Sequence, residues 1–168
     1  AVHGNEIFAA AREKGVMVAF EAAVAGGIPI IKALREGLVA NRFPRIYGIL
    51  NGTCNYILTT MQETGESFAS VLAEAQAKGY AEVNPSFDIG GIDTAHKLCI
   101  LSSLAFGVNP NLKGMAVEGI THISADDIRF AHELGYRIKL LGVARREDDC
   151  IVQLVEPCLI SESQPMAA

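Results

Sequence analysis

The chain has 168 residues, 50% of them hydrophobic and 20% charged, and a net charge of −5. That length suits one domain with a proper core, and the composition excludes a disordered chain. No basic stretch offers a nucleic-acid surface, and no apolar run approaches the roughly 18–20 residues that span a bilayer.

Cys54, Cys99, Cys150 and Cys158 are scattered without CxxC spacing. Most fall inside apolar elements, so they read as reduced core thiols in a cytoplasmic protein. The chain opens at Ala1 without a signal-peptide pattern and stops at Ser163-Gln164-Pro165-Met166-Ala167-Ala168 without a closing element. Both ends read as cuts from a longer chain.

In chain order, Asn5 to Lys14 predicts a short helix stopped by Gly15. Val16 to Phe20 reads as a buried strand running into Glu21. Ala25-Gly26-Gly27-Ile28-Pro29 is a glycine-rich junction, matching neither GxGxxG nor a Walker loop. It is either a tight turn or a set of exposed carbonyls, from Glu21 to Ile28, able to hold a hard cation. The helix beyond it, Ile30 to Val39, has apolar positions at Ile30, Ile31, Leu34 and Leu38.

Arg45 to Leu50 is a second strand, and Asn51-Gly52-Thr53 turns it into a helix through about Glu63. With Thr53 as cap, that junction is an ordinary turn; its free N–H groups could also receive a substrate carboxylate. Ser67 caps a helix from Phe68 to Lys78, closed by Gly79. After the window Gly79 to Lys97, a helix beginning near Gly91 runs to about Gly107. Met115 to Ile120 reads as a strand, and Ser124-Ala125-Asp126-Asp127 starts a helix that Gly135 closes. Ile138 to Arg145 and Ile151 to Ile160 form an antiparallel hairpin around Arg146-Glu147-Asp148-Asp149. This order predicts an α+β fold, an open β-sheet with helices packed on one face.

The window Gly79 to Lys97 is the richest in chemistry, holding Glu82, Asp88, Asp93 and Lys97. Asp93 and Lys97 stand one helical turn apart, and Ile100, Leu101 and Leu104 continue the stripe that Lys97 heads. A lysine there is partly desolvated and kept charged by its carboxylate neighbour, as a sheltered proton donor needs. The plainer reading is an exposed ion pair stabilising by about 0.2–0.5 kcal/mol. His3, His96, His122 and His132 are dispersed without metal-ligand spacing and read as structural.

Four segments together resemble homoserine dehydrogenase: Phe20 to Ile31, Gly48 to Leu58, Gly79 to Lys97, and Val155-Glu156-Pro157. Their order and intervals fit across essentially the whole chain, and the third is the most specific. The resemblance implies that Lys97 is the proton donor and Asp93 its acidic partner. It implies that Glu82 binds the substrate amino group, that Asp88 is another substrate-site acid, and that Gly52 and Thr53 give backbone contacts to substrate. Gly79 matches a cofactor contact, with NAD or NADP held mainly by a nucleotide-binding domain that these residues do not contain. The main-chain oxygens of Glu21, Val24, Gly26 and Ile28 match a monovalent-cation site, typically sodium. Val83-Asn84 departs from the Pro-Asp or Ala-Asp of many members, removing a carboxylate with no assigned role.

On this resemblance, residues 1–15 trail from the missing nucleotide-binding domain. Residues 16–168 form a C-terminally truncated domain for substrate binding, catalysis and dimerisation. The parent would interconvert aspartate 4-semialdehyde and homoserine on the way to threonine, methionine and isoleucine. It would work as a homodimer or higher homo-oligomer, and the isolated piece would be inactive. Two other readings stay open, a non-catalytic assembly module and another amino-acid semialdehyde oxidoreductase.

Overall fold

A computed structural model describes residues 1–167. Helix α1 spans Gly4–Lys14 and α2 spans Ile30–Lys32, continuing as a π-helical segment Ala33–Gly37. Then come β1 (Arg45–Gly48), α3 (Gly52–Thr64), α4 (Phe68–Ala77), α5 (Ser86–Ile89) and α6 (Ile92–Phe106). The chain ends with β2 (Ala116–Val117), α7 (Ala125–Glu133), β3 (Tyr136–Glu147), β4 (Cys150–Ser161) and a 3₁₀ turn, Pro165–Ala167. None of these helices is long and apolar enough to cross a membrane.

The four strands lie in the order β1-β3-β4-β2. The β3–β4 hairpin is antiparallel over its full length, from Tyr136 opposite Ser161 to Glu147 opposite Cys150. It is longer than the sequence predicts, because Arg146 and Glu147 still pair and only Asp148-Asp149 turn, Asp148 at φ 48°. A two-residue turn of that kind needs a left-handed position, which Asp tolerates better than most residues. On the outer edges, β1 runs antiparallel to β3 and β2 parallel to β4.

Alternation along the strands sorts the faces. Ile138, Leu140 and Ala144 of β3, with Val155 of β4, pack against Ile57, Leu58 and Met61 of α3, Leu98 and Cys99 of α6 and Ile128 of α7. The helices cover that face, as the α+β expectation has it. On the other face Leu141 and Ile160 pack with Ile49 and with Ala167 and Met166 of the terminal turn. Helix α6 lies close to the sheet because β3 has no side chain beneath it at Gly142. A Cβ there would stand 3.1 Å from Leu50, 3.2 Å from Thr94 and 3.5 Å from Leu98.

Three further sequence-predicted elements differ. Val16 to Phe20 is not a strand: the segment is irregular, with Val16 60% and Met17 85% exposed. A run of five apolar residues carries no period that separates strand from loop, and it pairs with none of the four strands among the described residues. Phe20 instead packs against Phe8 of α1, ring centroids 5.9 Å apart. The helix expected to reach Val39 leaves the α-form after Lys32 and ends at Gly37, with Leu38 N–H bonding back to the Ala33 carbonyl. The strand expected over Met115 to Ile120 shortens to Ala116–Val117. Gly119 turns away there to meet the backbone of Ile89 and Gly90.

Lys139 is a buried cation in β3, only 1% exposed. Beyond Gly142, β1 no longer pairs with β3, and there the Lys139 ammonium donates to Asn55 Oδ1 (2.9 Å) and Thr59 Oγ1 (3.0 Å) of α3. Both acceptors are neutral, so burial and then the Arg137 charge push its pKa below the ordinary 10.5. The unfolded chain then binds more protons than the native one between the lowered value and 10.5. The Lys139 contribution to stability therefore rises with pH through that window.

Two outcomes follow for stability. Gly119→Ala places a Cβ 2.1 Å from the Ile89 carbonyl and should destabilise by about 1–3 kcal/mol or more, as overpacking against backbone does. Gly37→Ala, with nothing within 4 Å of its Cβ, is the control and should be neutral or stabilising by up to about 1 kcal/mol. Urea unfolding of both variants checks this. The second outcome concerns Lys139→Met, which removes this positive contribution, so stability should fall more steeply with alkaline pH than in the unaltered chain, where Lys139 partly offsets the fall from buried Cys54. Unfolding midpoints measured from pH 7 upward read it directly, and an identical slope in both proteins would contradict the assignment.

Candidate functional site

The site forms where β1 hands over to α3 and where α5 meets α6. Helix α3 begins as an N-capped helix, but the cap is Asn51 and not Thr53. The Asn51 Oδ1 accepts from the Cys54 N–H at 2.8 Å. The Thr53 hydroxyl donates instead to the Tyr80 carbonyl at 3.0 Å, tying the start of α3 to the loop after α4. Gly52 and Thr53 occupy the first turn, whose N–H groups have no intrahelical acceptor.

Helix α6 starts at Gly91, which sits at φ 81° and 3.2 Å (as a virtual Cβ) from Val117, Glu118 and Val155. Only glycine fits both the left-handed backbone and the close approach to the sheet. From this start Asp93 and Lys97 project from successive turns. Lys97 Nζ donates to Asp93 Oδ2 at 2.6 Å, the side chains 24% and 21% exposed. A second Lys97 N–H goes to the Leu50 carbonyl at 3.0 Å. The pair is thus sheltered rather than superficial, and the ammonium keeps one N–H with no acceptor among the described residues.

Asp88 arrives from α5. Its Oδ1 accepts from Asn51 Nδ2 at 2.8 Å, and Asp93 Oδ2 accepts from the same nitrogen at 2.8 Å. The structure therefore brings Asp88, Asp93 and Lys97 together through Asn51. Cys54 lies beneath them, its thiol donating to the Asp88 carbonyl at 3.2 Å. Burial, then the charges of Asp88 and Asp93, push the Cys54 pKa up to about 12.

Glu82 and Gly79 sit at the rim. Gly79, at φ 76°, follows the last turn of α4, and Tyr80 N–H bonds back to the Ala75 carbonyl. Gln76 Nε2 holds the Glu82 and Val83 carbonyls at 3.0 and 3.2 Å. The Glu82 side chain is exposed, and its carboxylate bonds to none of the other site residues. Tyr80 stacks edge-on against Tyr56 at 4.9 Å, closing that side.

The Glu21–Ile28 loop lies apart from the carboxylates but touches the same helix. Val24 and Ile31 pack with Leu101 of α6, and Leu50 joins the cluster. The Glu21 carboxylate is committed to the N–H groups of Ile31 (2.8 Å) and Lys32 (3.0 Å). What the loop offers a cation is its carbonyls. Those of Val24 and Gly26 accept no backbone N–H among the described residues, and those of Glu21 and Ile28 accept one each. An all-oxygen set with free lone pairs fits a hard cation. No group of three or more His, Cys, Asp or Glu side chains among the described residues could hold a metal. A separate groove of about 590 Å³ runs between α1 and α6, lined by Phe8, Phe20, His96 and Ile100 among others, and reaches neither Asp93 nor Lys97.

Asn51 is the residue that sequence reasoning missed. Its signal was an Asx residue directly before a glycine-led helix, the commonest kind of N-cap.

The chain belongs to the homoserine dehydrogenase family, whose model matches residues 29–168. It is 59% identical to the homoserine dehydrogenase of Pseudomonas aeruginosa over 167 residues, 99% of this chain and 38% of that protein. With the Bacillus subtilis homoserine dehydrogenase it shares 44% identity, over 100% of this chain and 39% of that one. Among solved structures, the homoserine dehydrogenase from Thiobacillus denitrificans superposes with a TM-score of 0.96 at 59% identity, covering 98% of this chain and 38% of that one. A hyperthermophilic archaeal homoserine dehydrogenase in complex with NADPH matches with a TM-score of 0.79 at 28% identity, over 97% and 46% of the two chains. The chain thus spans about two-fifths of the length of these relatives.

The raised pKa of Cys54 sets an expectation for its reactivity. At pH 8 the folded chain should leave Cys54 unalkylated by iodoacetamide while exposed Cys150 reacts, because the thiolate is the nucleophile. Urea should bring Cys54 to the same rate as Cys150. Peptide mapping by mass spectrometry checks this, and equal labelling in the folded chain would contradict the geometry.

Proposed function

We propose that this chain is the substrate-binding and catalytic segment of a homoserine dehydrogenase that interconverts L-aspartate 4-semialdehyde and L-homoserine. The observation that carries the reading is the Lys97 ammonium, sheltered, bound to Asp93 and the Leu50 carbonyl, with one N–H still to give. Such a group has the geometry of a general acid. The same observation weighs against a pure assembly module, since an ornamental pair would sit in open solvent.

A reduced nicotinamide, NADH or NADPH, would supply the hydride when bound, with Gly79 at its edge and the rest of its site outside these residues. As the aldehyde carbon gains hydride its oxygen becomes an alkoxide, and the free Lys97 N–H lies ready to protonate it. Asp93 holds the ammonium aimed. The substrate carboxylate goes to the unsatisfied N–H groups of Gly52 and Thr53, where the α3 dipole adds a favourable field. Its α-ammonium is taken by Glu82, whose carboxylate is exposed and uncommitted, with Asp88 as a second acid.

The carbonyls of Glu21, Val24, Gly26 and Ile28 would hold a monovalent cation, most simply sodium, bracing the loop that packs on Leu101 and Leu50. The thinly covered outer face of the sheet, with Leu141, Val143 and Ile160 beside half-exposed Tyr47, suits a two-fold homodimer. The parent would serve threonine, methionine and isoleucine synthesis in the cytoplasm.

In the complete enzyme, Lys97→Ala should lower kcat by about 10²–10⁴-fold with little change in KM, because a proton donor acts mainly in the transition state. Glu82→Gln should chiefly raise KM, since it binds the amine in ground and transition states alike. Asp93→Asn should fall nearer Lys97→Ala. Steady-state kinetics on the three decide the matter; near-normal kcat in Lys97→Ala would leave Lys97 a structural residue.

A further inference from the structure

We infer that Asn51 is a positioning residue that aims the Lys97 ammonium through Asp93 and sets the spacing of the Asp88 and Asp93 carboxylates. The inference rests on the reading of Lys97 as proton donor. Asn51 is 6% exposed and its hydrogen bonds are committed in one sense only. Because Oδ1 accepts from the Cys54 N–H, Nδ2 must face the other way, and its two hydrogens go to Asp88 Oδ1 and Asp93 Oδ2. A flipped amide would set oxygen against two carboxylates and nitrogen against a backbone N–H.

The chemistry needs a neutral double donor at that point. Asp88 comes from α5 and Asp93 from α6, and like charges brought to one atom repel unless a donor stands between them. Asp93 Oδ2 then accepts from both Asn51 and Lys97, so its carboxylate has no freedom to swing away from the ammonium. Leu50, the neighbouring residue, gives Lys97 its other acceptor. Two consecutive residues, 50 and 51, thus hold both partners of the ion pair. The remaining titratable groups nearby are Cys54 on α3 and His96 on α6, and neither bonds to the Asp93 carboxylate or the Lys97 ammonium.

Asn51→Ser keeps an oxygen able to cap α3, so the fold is retained, while the two bridging donors are removed; Asn51→Asp keeps the cap but sets its second oxygen against both carboxylates and is the repulsive extreme. Thermal unfolding of the 168-residue chain verifies folding first. In the complete enzyme both variants should lose about 10- to 100-fold in kcat, with a smaller rise in KM from the loosened Asp88, the pattern of lost aim outweighing lost binding. The decisive readout is a double-mutant cycle with Lys97→Ala. If Asn51 acts through Lys97, Asn51→Ser should cost little further once Lys97 is gone.

An Asn51→Ser loss of the same size in both backgrounds overturns the inference. If Lys97→Ala alone leaves kcat near normal, the proton-donor reading fails and this inference with it, a result distinguishable from additivity. A measurement free of activity accompanies these. Relaxation of the Lys97 side-chain ammonium in the isolated chain should show lost order in Asn51→Ser. It should show none in Asn55→Ser, which touches Lys139 instead. Unchanged Lys97 order in Asn51→Ser overturns the inference, and should both Asn51 variants unfold, two rapidly averaging side-chain amide protons of Asn51 in the unaltered chain do the same.

Discussion

The closeness of α6 to the sheet is the constraint on which the site depends. Three points lack a side chain where one would interfere: Gly91 at the helix start, Gly142 beneath Thr94 and Leu98, and Gly119 against the Ile89–Gly90 backbone. At van der Waals distance from β3, α6 also presses against Leu50 at the end of the β1 segment. That contact puts the Leu50 carbonyl within 3.0 Å of Lys97, forty-seven residues away in sequence. A helix held a side chain's thickness further out would leave the lysine without its backbone acceptor. The glycines are therefore part of the chemistry although none of them reacts.

The energetics of the Lys97–Asp93 pair follow from its shelter. Exposed helical ion pairs contribute about 0.2–1 kcal/mol, because water solvates the separated charges nearly as well. A half-buried pair loses that alternative, and desolvation offsets much of the added attraction. Extra hydrogen bonds are what make the arrangement tolerable, and the structure provides them from Asn51 and Leu50. A geometry maintained at such cost, with one ammonium hydrogen unused, is better explained by a reaction than by stability.

Much of this was legible in the sequence, for reasons particular to each element. The β3–β4 hairpin has two long, largely apolar runs around a polar turn, and α7 announces itself by Ser124 and Asp127, which do form a reciprocal capping box. The Asp93–Lys97 pair was readable because i,i+4 spacing on a helix fixes proximity without tertiary information. What was not legible needed contacts distant in sequence. Nothing local tells that Asn51 spans to Asp88 and Asp93, or that Val16 to Phe20 has no strand to pair with. The π-helical step after Lys32 is likewise silent in composition, since its residues suit an α-helix equally.

Lys139 shows why burial by itself does not define a site. It is more deeply enclosed than Lys97, and it too gives two hydrogen bonds to protein oxygens. Its acceptors, however, are an amide and a hydroxyl, which offer no charge to offset desolvation, so its pKa falls. Lys97 instead bonds a carboxylate that Asn51 also holds, so its charge is opposed at close range and its direction fixed. A proton donor must be both charged and aimed when the alkoxide forms. Lys139 is held by its two neutral acceptors at 1% exposure, whereas Lys97 is held by a carboxylate and a carbonyl with its side chain 24% exposed. The two lysines differ in enclosure and in their partners, and it is Asn51, Asp93 and Leu50 that make one of them a candidate acid.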